Sequence, residues 1–162
     1  MKEIVKPLMQ WYAKHARTLP WRSDPTPYHV WLSEIMLQQT RVEAVIGYYD
    51  RFLEELPDVQ SLAAVSEERL LKLWEGLGYY NRARNLQKAA VQICEQYQGK
   101  FPESYEEWLA LPGIGAYTAG AVTSIAFGKK EAAVDGNVYR IYTRLYADDT
   151  EISKTAFQRN VR

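Results

Sequence analysis

The sequence predicts an all-α protein, and three observations predict it. Apolar residues recur at spacings of three and four, strict alternation is absent, and the periodic stretches end at proline, glycine or capping residues. Ile4, Leu8, Trp11, Tyr12 and His15 fall at helical spacing in the first fifteen residues. After Pro25 and Pro27 a helix is expected from Tyr28 to about Gln38. A second runs through Val42, Val45, Ile46, Tyr49, Phe52 and Leu53 until Pro57 stops it. Ser66 caps a third, with Glu67 and Glu68 suited to its positive first turn, and Gly76 and Gly78 end it. Arg84 to Tyr97 is amphipathic through Leu86, Ala89, Ala90 and Ile93 and closes at Gly99. Ser104 and Glu107 form a capping box for the helix of Trp108 and Leu109. A tight turn, Leu111 to Gly115, leads into a helix from Ala116 to Phe127, ended by Gly128. Asp135 opens a last helix through Val138, Ile141, Tyr142 and Leu145. There is no internal repeat, low-complexity tract or linker.

At 162 residues and 47% hydrophobic, the chain is long enough for one sizeable core and short for two independent domains. Its formal net charge of zero gives no argument for a nucleic-acid partner, but the charges are segregated. Glu43 to Glu68 carries acids opposed by Arg51 alone, whereas Gly76 to Gln92 holds Arg82, Arg84 and Lys88 and no acid. One acidic and one basic face is the simplest reading. Cys94 is the one cysteine, which excludes an internal disulfide framework and reads as a buried structural thiol in a reducing compartment. No stretch suits secretion, and none approaches the roughly 20 apolar residues of a membrane span.

Two carboxylates have the placement that bond-breaking chemistry needs. Glu34, on its helix, has Val30, Trp31, Leu37 and Gln38 as neighbours three and four residues away. A carboxyl on such a face either loses hydration and keeps its proton near neutral pH, as a general acid must, or reaches past the apolar stripe to water. Asp135 is placed to cap a helix, a role compatible with facing a cationic transition state. Tyr117 fits as a packing residue, and Gln38 and Gln39 as a solvated helix end. Gly76 to Arg84 interleaves aromatics with arginines, suiting either phosphate contact and base stacking or the edge of a core. Pro112, Gly113 and Gly115 make a turn poor in side chains that can press its backbone against a phosphate.

Several segments together are similar to one family. Leu19-Pro20-Trp21-Arg22, Ser33 to Thr40 (Ser-Glu-Ile-Met-Leu-Gln-Gln-Thr), Gly76-Leu77-Gly78-Tyr79-Tyr80, Leu111 to Gly120 and Val134 to Val138 resemble the MutY family of adenine DNA glycosylases, in order and spacing over essentially the whole chain. The resemblance implies a six-helix barrel with a helix-hairpin-helix over residues 19–129, and a second helical domain, incomplete here, from residues 1–18 and 130–162. It implies base-excision repair: hydrolysis of the N-glycosidic bond of adenine mispaired with 8-oxoguanine or guanine, after the base leaves the stack. Glu34 would then protonate the adenine ring and help activate water, Asp135 stabilise the sugar cation, and Tyr117 and Asn137 assist and orient. Trp21, Arg22 and Leu37 would line the base pocket, Gln39 and Tyr79 wedge into the duplex, and the backbone of Leu111, Pro112, Gly113, Ile114 and Gly115 hold the phosphate.

A related branch, resembling endonuclease III, has a lysine nucleophile just after the hairpin where this sequence has Tyr117, so excision without strand cleavage is expected. The family's four cysteines for a [4Fe-4S] cluster and its lesion-recognition domain are not in this sequence, so no cofactor is expected of a truncated chain. Apolar faces that would cover the missing part are expected to be exposed on Ile4 to His15 and after Lys130. Its partner is expected to be double-stranded DNA with an adenine mispair, met by a cytoplasmic, nucleoid-associated monomer that is no membrane protein. A non-catalytic hairpin module that grips DNA without excision is the alternative.

Overall fold

The computed structural model describes residues 2–153, 157, 158 and 161. Among them the regular elements are helices: α1 (Lys2–His15), α2 (Pro20–Ser23), α3 (Pro27–Leu37), α4 (Val42–Glu55), α5 (Val59–Ala64), α6 (Glu67–Trp74), α7 (Asn81–Tyr97), α8 (Tyr105–Leu109), α9 (Ala116–Phe127) and α10 (Gly136–Tyr146). The all-helical expectation holds, and so do the caps. Ser66 accepts from the Arg69 amide at 3.3 Å, and Ser104 and Glu107 make the reciprocal capping box. Two helices were not expected, α2 and α5, because four and six residues are too short to display a period. A box in which Asp58 and Ser61 cap each other starts α5. The helix expected from Arg84 begins at Asn81, because Ala83 already faces the core with no exposure.

Helix α3 is apolar on nearly every side, and a helix of that kind is stable only when surrounded. It packs against α2, α4, α7 and α9, with Trp31, Leu32 and Met36 fully enclosed. The core around it runs from Leu19 to Val122 and is built on aromatics. Trp31 meets Trp108 edge-on at 5.7 Å, Phe101 stacks on Trp108 at 6.0 Å, and the Trp108 indole donates to the Pro102 carbonyl at 2.8 Å. A second, smaller cluster of Val134, Tyr139 and Phe157 gathers Tyr142, Ile152 and Val161.

Neither α1 nor α10 is enclosed. Leu8, Met9 and Trp11 on α1, and Ile141 and Leu145 on α10, are each more than half exposed, as expected for faces without a covering layer. Cys94 is half-buried rather than buried, its thiol donating to the Val59 carbonyl at 3.8 Å.

The reading of separate acidic and basic faces is corrected. Packing of α6 on α7 sets Arg84 of the basic segment against Glu67 of the acidic one at 2.7 Å, so the two segments meet rather than occupying separate faces. Arg82 is partly buried and makes six hydrogen bonds within the protein, so of the two readings left open for the Gly76 to Arg84 segment it takes the one at the edge of the core.

Candidate active site

Pro27 starts α3 and Thr26 caps it, accepting from the His29 amide at 3.2 Å. That phase leaves Glu34 as the carboxylate of an otherwise apolar helix, half-buried and facing a cavity of about 560 Å³. The volume is that of a small-molecule site. Trp21 and Arg22 of α2, Leu37 of α3, Tyr117 of α9 and Asp135 line the same cavity. Of the two readings left open for Glu34, the half-buried position favours the desolvated one: burial pushes its pKa up. A hydrogen bond from the Tyr117 hydroxyl and the nearby Arg22 charge hold it down in part, and Asp135 raises it again. Burial and the facing Glu34 carboxylate likewise push the Tyr117 phenol up, so it remains a proton donor at neutral pH. Tyr117 is therefore more than a packing residue.

Asp135 is the N-cap of α10. One carboxylate oxygen accepts from the backbone amides of Asn137 and Val138, both at 2.9 Å, and the other from the Asn137 side-chain amide at 2.8 Å. Asn137 in turn accepts from Arg140. The cap aims Asp135 at the cavity, while Asn137 acts behind it and is not a wall.

The hairpin residues divide by side chain. Leu111 and Ile114 are buried in the core, whereas Gly113 and Gly115 are exposed. Gly113 has φ of 75°, and a Cβ there would stand 2.7 Å from Cβ of Asn85, so the turn needs glycine. Gly115 caps α9 without a side-chain bond, and nothing lies within 4 Å of where its Cβ would be. The first amides of α9, at the positive end of its dipole, have no side-chain cap. Gln39 and Tyr79 lie outside the cavity walls, exposed, with φ of 57° and 50°.

Three residues of this region have contacts that the sequence reading did not assign to them. Tyr12 of α1 lines the cavity, with the Arg22 guanidinium 5.8 Å over its ring. Gly120 of α9 packs on the Ala132 backbone, and Arg82 ties α3 to the turn after α6. Only Gly120 left a local signal, as a glycine inside a helix. The four-cysteine cluster that the resemblance implies does not fit these residues. Cys94 is the one cysteine of the sequence, and among the described residues no group of three His, Cys, Asp or Glu could hold a metal.

A helical body that carries a short-helix hairpin with uncapped backbone amides beside a half-buried carboxylate has the frame of the helix-hairpin-helix DNA-repair class. Residues 32–162 match the family described as HhH-GPD superfamily base excision DNA repair protein, and the chain belongs to that superfamily. It is 45% identical over 157 residues to the adenine DNA glycosylase of Mus musculus, covering 91% of this chain and 30% of that protein. It is 45% identical over 141 residues to that of Buchnera aphidicola, covering 86% of this chain and 40% of the other. The chain thus spans well under half the length of these relatives.

Among solved structures, a thermostable thymine-DNA glycosylase superposes with a TM-score of 0.90 at 28% identity, over 99% of this chain and 76% of that one. Endonuclease III trapped as a covalent intermediate with DNA superposes at 0.77 and 29%, over 90% of this chain and 68% of the other. Among the described residues, no helix is long and apolar enough to cross a membrane.

Proposed function

We propose that this protein removes adenine from double-stranded DNA in which it is mispaired with 8-oxoguanine or guanine, by hydrolysing the N-glycosidic bond. The observation that carries the reading is Glu34, half-buried, hydrogen-bonded by Tyr117 and sharing one cavity with Asp135. The 45% identity to proteins named adenine DNA glycosylase supports the choice of base.

In this reading the uncapped amides at Gly115 take a phosphate, and Gln39 and Tyr79 fill the space of the extruded base. The adenine enters between Trp21, Arg22 and Leu37. Glu34 gives its proton to a ring nitrogen of adenine. The bond between the sugar and the base then breaks, with its electron pair leaving on the base. Asp135, held by the α10 amides and Asn137, stabilises the positive charge left on the sugar. Water attacks that carbon and passes a proton to the Glu34 carboxylate, which restores the acid. Tyr117 keeps Glu34 oriented. Its phenol cannot form a Schiff base with the exposed sugar aldehyde, so the strand is not cut and the enzyme is monofunctional. The protein acts as a monomer, with residues 19–129 as the barrel and the remainder as part of a second helical unit.

Single-turnover assays on duplex containing adenine opposite 8-oxoguanine test this. The wild-type chain releases adenine, Glu34→Gln does not, and borohydride traps no protein-DNA adduct. Salt-sensitive duplex binding without adenine release would replace the enzyme reading with that of a DNA-gripping module.

A further inference from the structure

Arg82 stands in the first turn of α7, partly buried, and its guanidinium reaches both the turn just before α7 and a loop more than 40 residues away in sequence. Nη1 donates to the carbonyls of Ile35 and Met36, both at 3.0 Å, and of Gln38 at 2.5 Å. Nη2 donates to Leu77 at 3.0 Å, Gly78 at 3.1 Å and the Thr40 hydroxyl at 3.3 Å. The rings of Trp74 and Tyr79 lie 5.5 and 5.7 Å from the guanidinium carbon. Gln38 and Gly78 each immediately precede a strained residue: Gln39 and Tyr79 are in the left-handed region without being glycine. Such a backbone costs on the order of 1–3 kcal/mol and persists only where the surroundings over-determine it. One planar fork supplies that restraint to both loop tips, whose side chains are left exposed, Tyr79 by 65%.

We propose that Arg82 is a positioning residue for base extrusion: it locks the Gln38–Thr40 loop and the Leu77–Tyr79 turn to each other and presents Gln39 and Tyr79 as one rigid wedge. The inference rests on the adenine glycosylase reading. Lysine keeps the charge but lacks the fork that serves several carbonyls at once, so Arg82→Lys is the informative variant.

The test uses the full chain, with a thermal melt to establish folding. Single-turnover adenine release is compared on two duplexes, one with adenine opposite 8-oxoguanine and one with adenine in an unpaired bulge. Arg82→Lys is expected to slow release from the paired site by the order of 10²-fold, the scale of misplacement by about 1 Å, and to spare the bulge, where no wedge is needed. In a Gln39→Ala, Tyr79→Ala background it adds no further loss. Equal loss on both duplexes, or full additivity with the wedge substitutions, overturns the proposal. Should Arg82→Lys fail to melt cooperatively, Arg82→Gln takes its place; failure of both makes Arg82 a folding residue and overturns it too. Duplex carrying 2-aminopurine for adenine reads unstacking without bond cleavage. A wild-type fluorescence rise without adenine release sinks the glycosylase reading alone, and loss of that rise in Arg82→Lys still supports the positioning role, whereas its persistence overturns it.

Discussion

Gly120 and the Ala132 carbonyl are in closer contact than any side chain allows: a Cβ on Gly120 would lie 2.4 Å from that oxygen and 3.3 Å from Cα of Ala133. Helix α9 carries Tyr117 one turn earlier, and the strand of backbone at Ala132 leads directly to Asp135. The glycine therefore sets how near the loop bearing one carboxylate comes to the helix bearing the tyrosine.

Gly120→Ala must move backbone, because both atoms it meets are main chain. We expect a destabilisation of about 1–3 kcal/mol, the usual cost of overpacking, seen as a lower melting temperature. Excision should fall further than stability explains, since Asp135 is displaced while every group in the cavity is kept. A variant that melts and reacts like wild type would show that the contact yields freely.

Glu34→Gln separates stability from chemistry. The folded-state pKa of Glu34 is raised by burial, so its contribution to stability is fully present below the unfolded pKa and is lost as pH rises through the folded value. The glutamine variant carries no such loss. It should match wild type in acid and melt higher at neutral pH, with the gap opening between those two pKa values. Its single-turnover excision should drop by roughly 10²–10⁴-fold, the range for a lost general acid.

Tyr117→Phe tests the same proton from the other side. The Tyr117 hydrogen bond pulls the Glu34 pKa down, so removing it lets burial push that pKa higher. Because the protonated form is the reactive acid, the fall in excision rate at high pH should shift to higher pH in Tyr117→Phe. A shift toward lower pH in the rate profile would contradict the hydrogen bond as drawn.

Asp135 has two roles that substitution can divide. Asp135→Ala removes the α10 cap and should cost about 1 kcal/mol in a denaturant melt. Asp135→Ser keeps an acceptor for the amides of Asn137 and Val138 and should recover most of that stability. Neither restores the charge, so both should lose excision by roughly 10²–10³-fold, the scale of a lost electrostatic partner. Recovery of activity by serine would reduce Asp135 to a cap.

The long helices and their caps were legible because those signals are local. Ser66, Ser104 with Glu107, and Gly128 each act on backbone within one turn. Helices α2 and α5 were not, being shorter than two periods, and the role of Arg82 stayed open for a related reason. An arginine shortly after two tyrosines reads equally as a nucleic-acid contact or as the edge of a core until its acceptors are known, and three of those are carbonyls 44 to 47 residues away. Tyr12 was read only as part of the amphipathic pattern of α1, since nothing in that pattern says which cavity it will reach.

By itself the sequence determined an all-helical chain, a glycine-dependent hairpin, a carboxylate on an apolar helix face and an aspartate at a helix start. Periodicity and capping are properties of neighbouring residues, so they need no fold to be read. Only the tertiary structure decided that Glu34 is half-buried at a cavity wall and that Tyr117 donates to it. It also decided that Asp135 shares its cavity and that Arg82 turns inward. Each of those depends on desolvation or hydrogen bonding by groups from other helices, which exists only once α2, α3, α9 and the start of α10 have packed together.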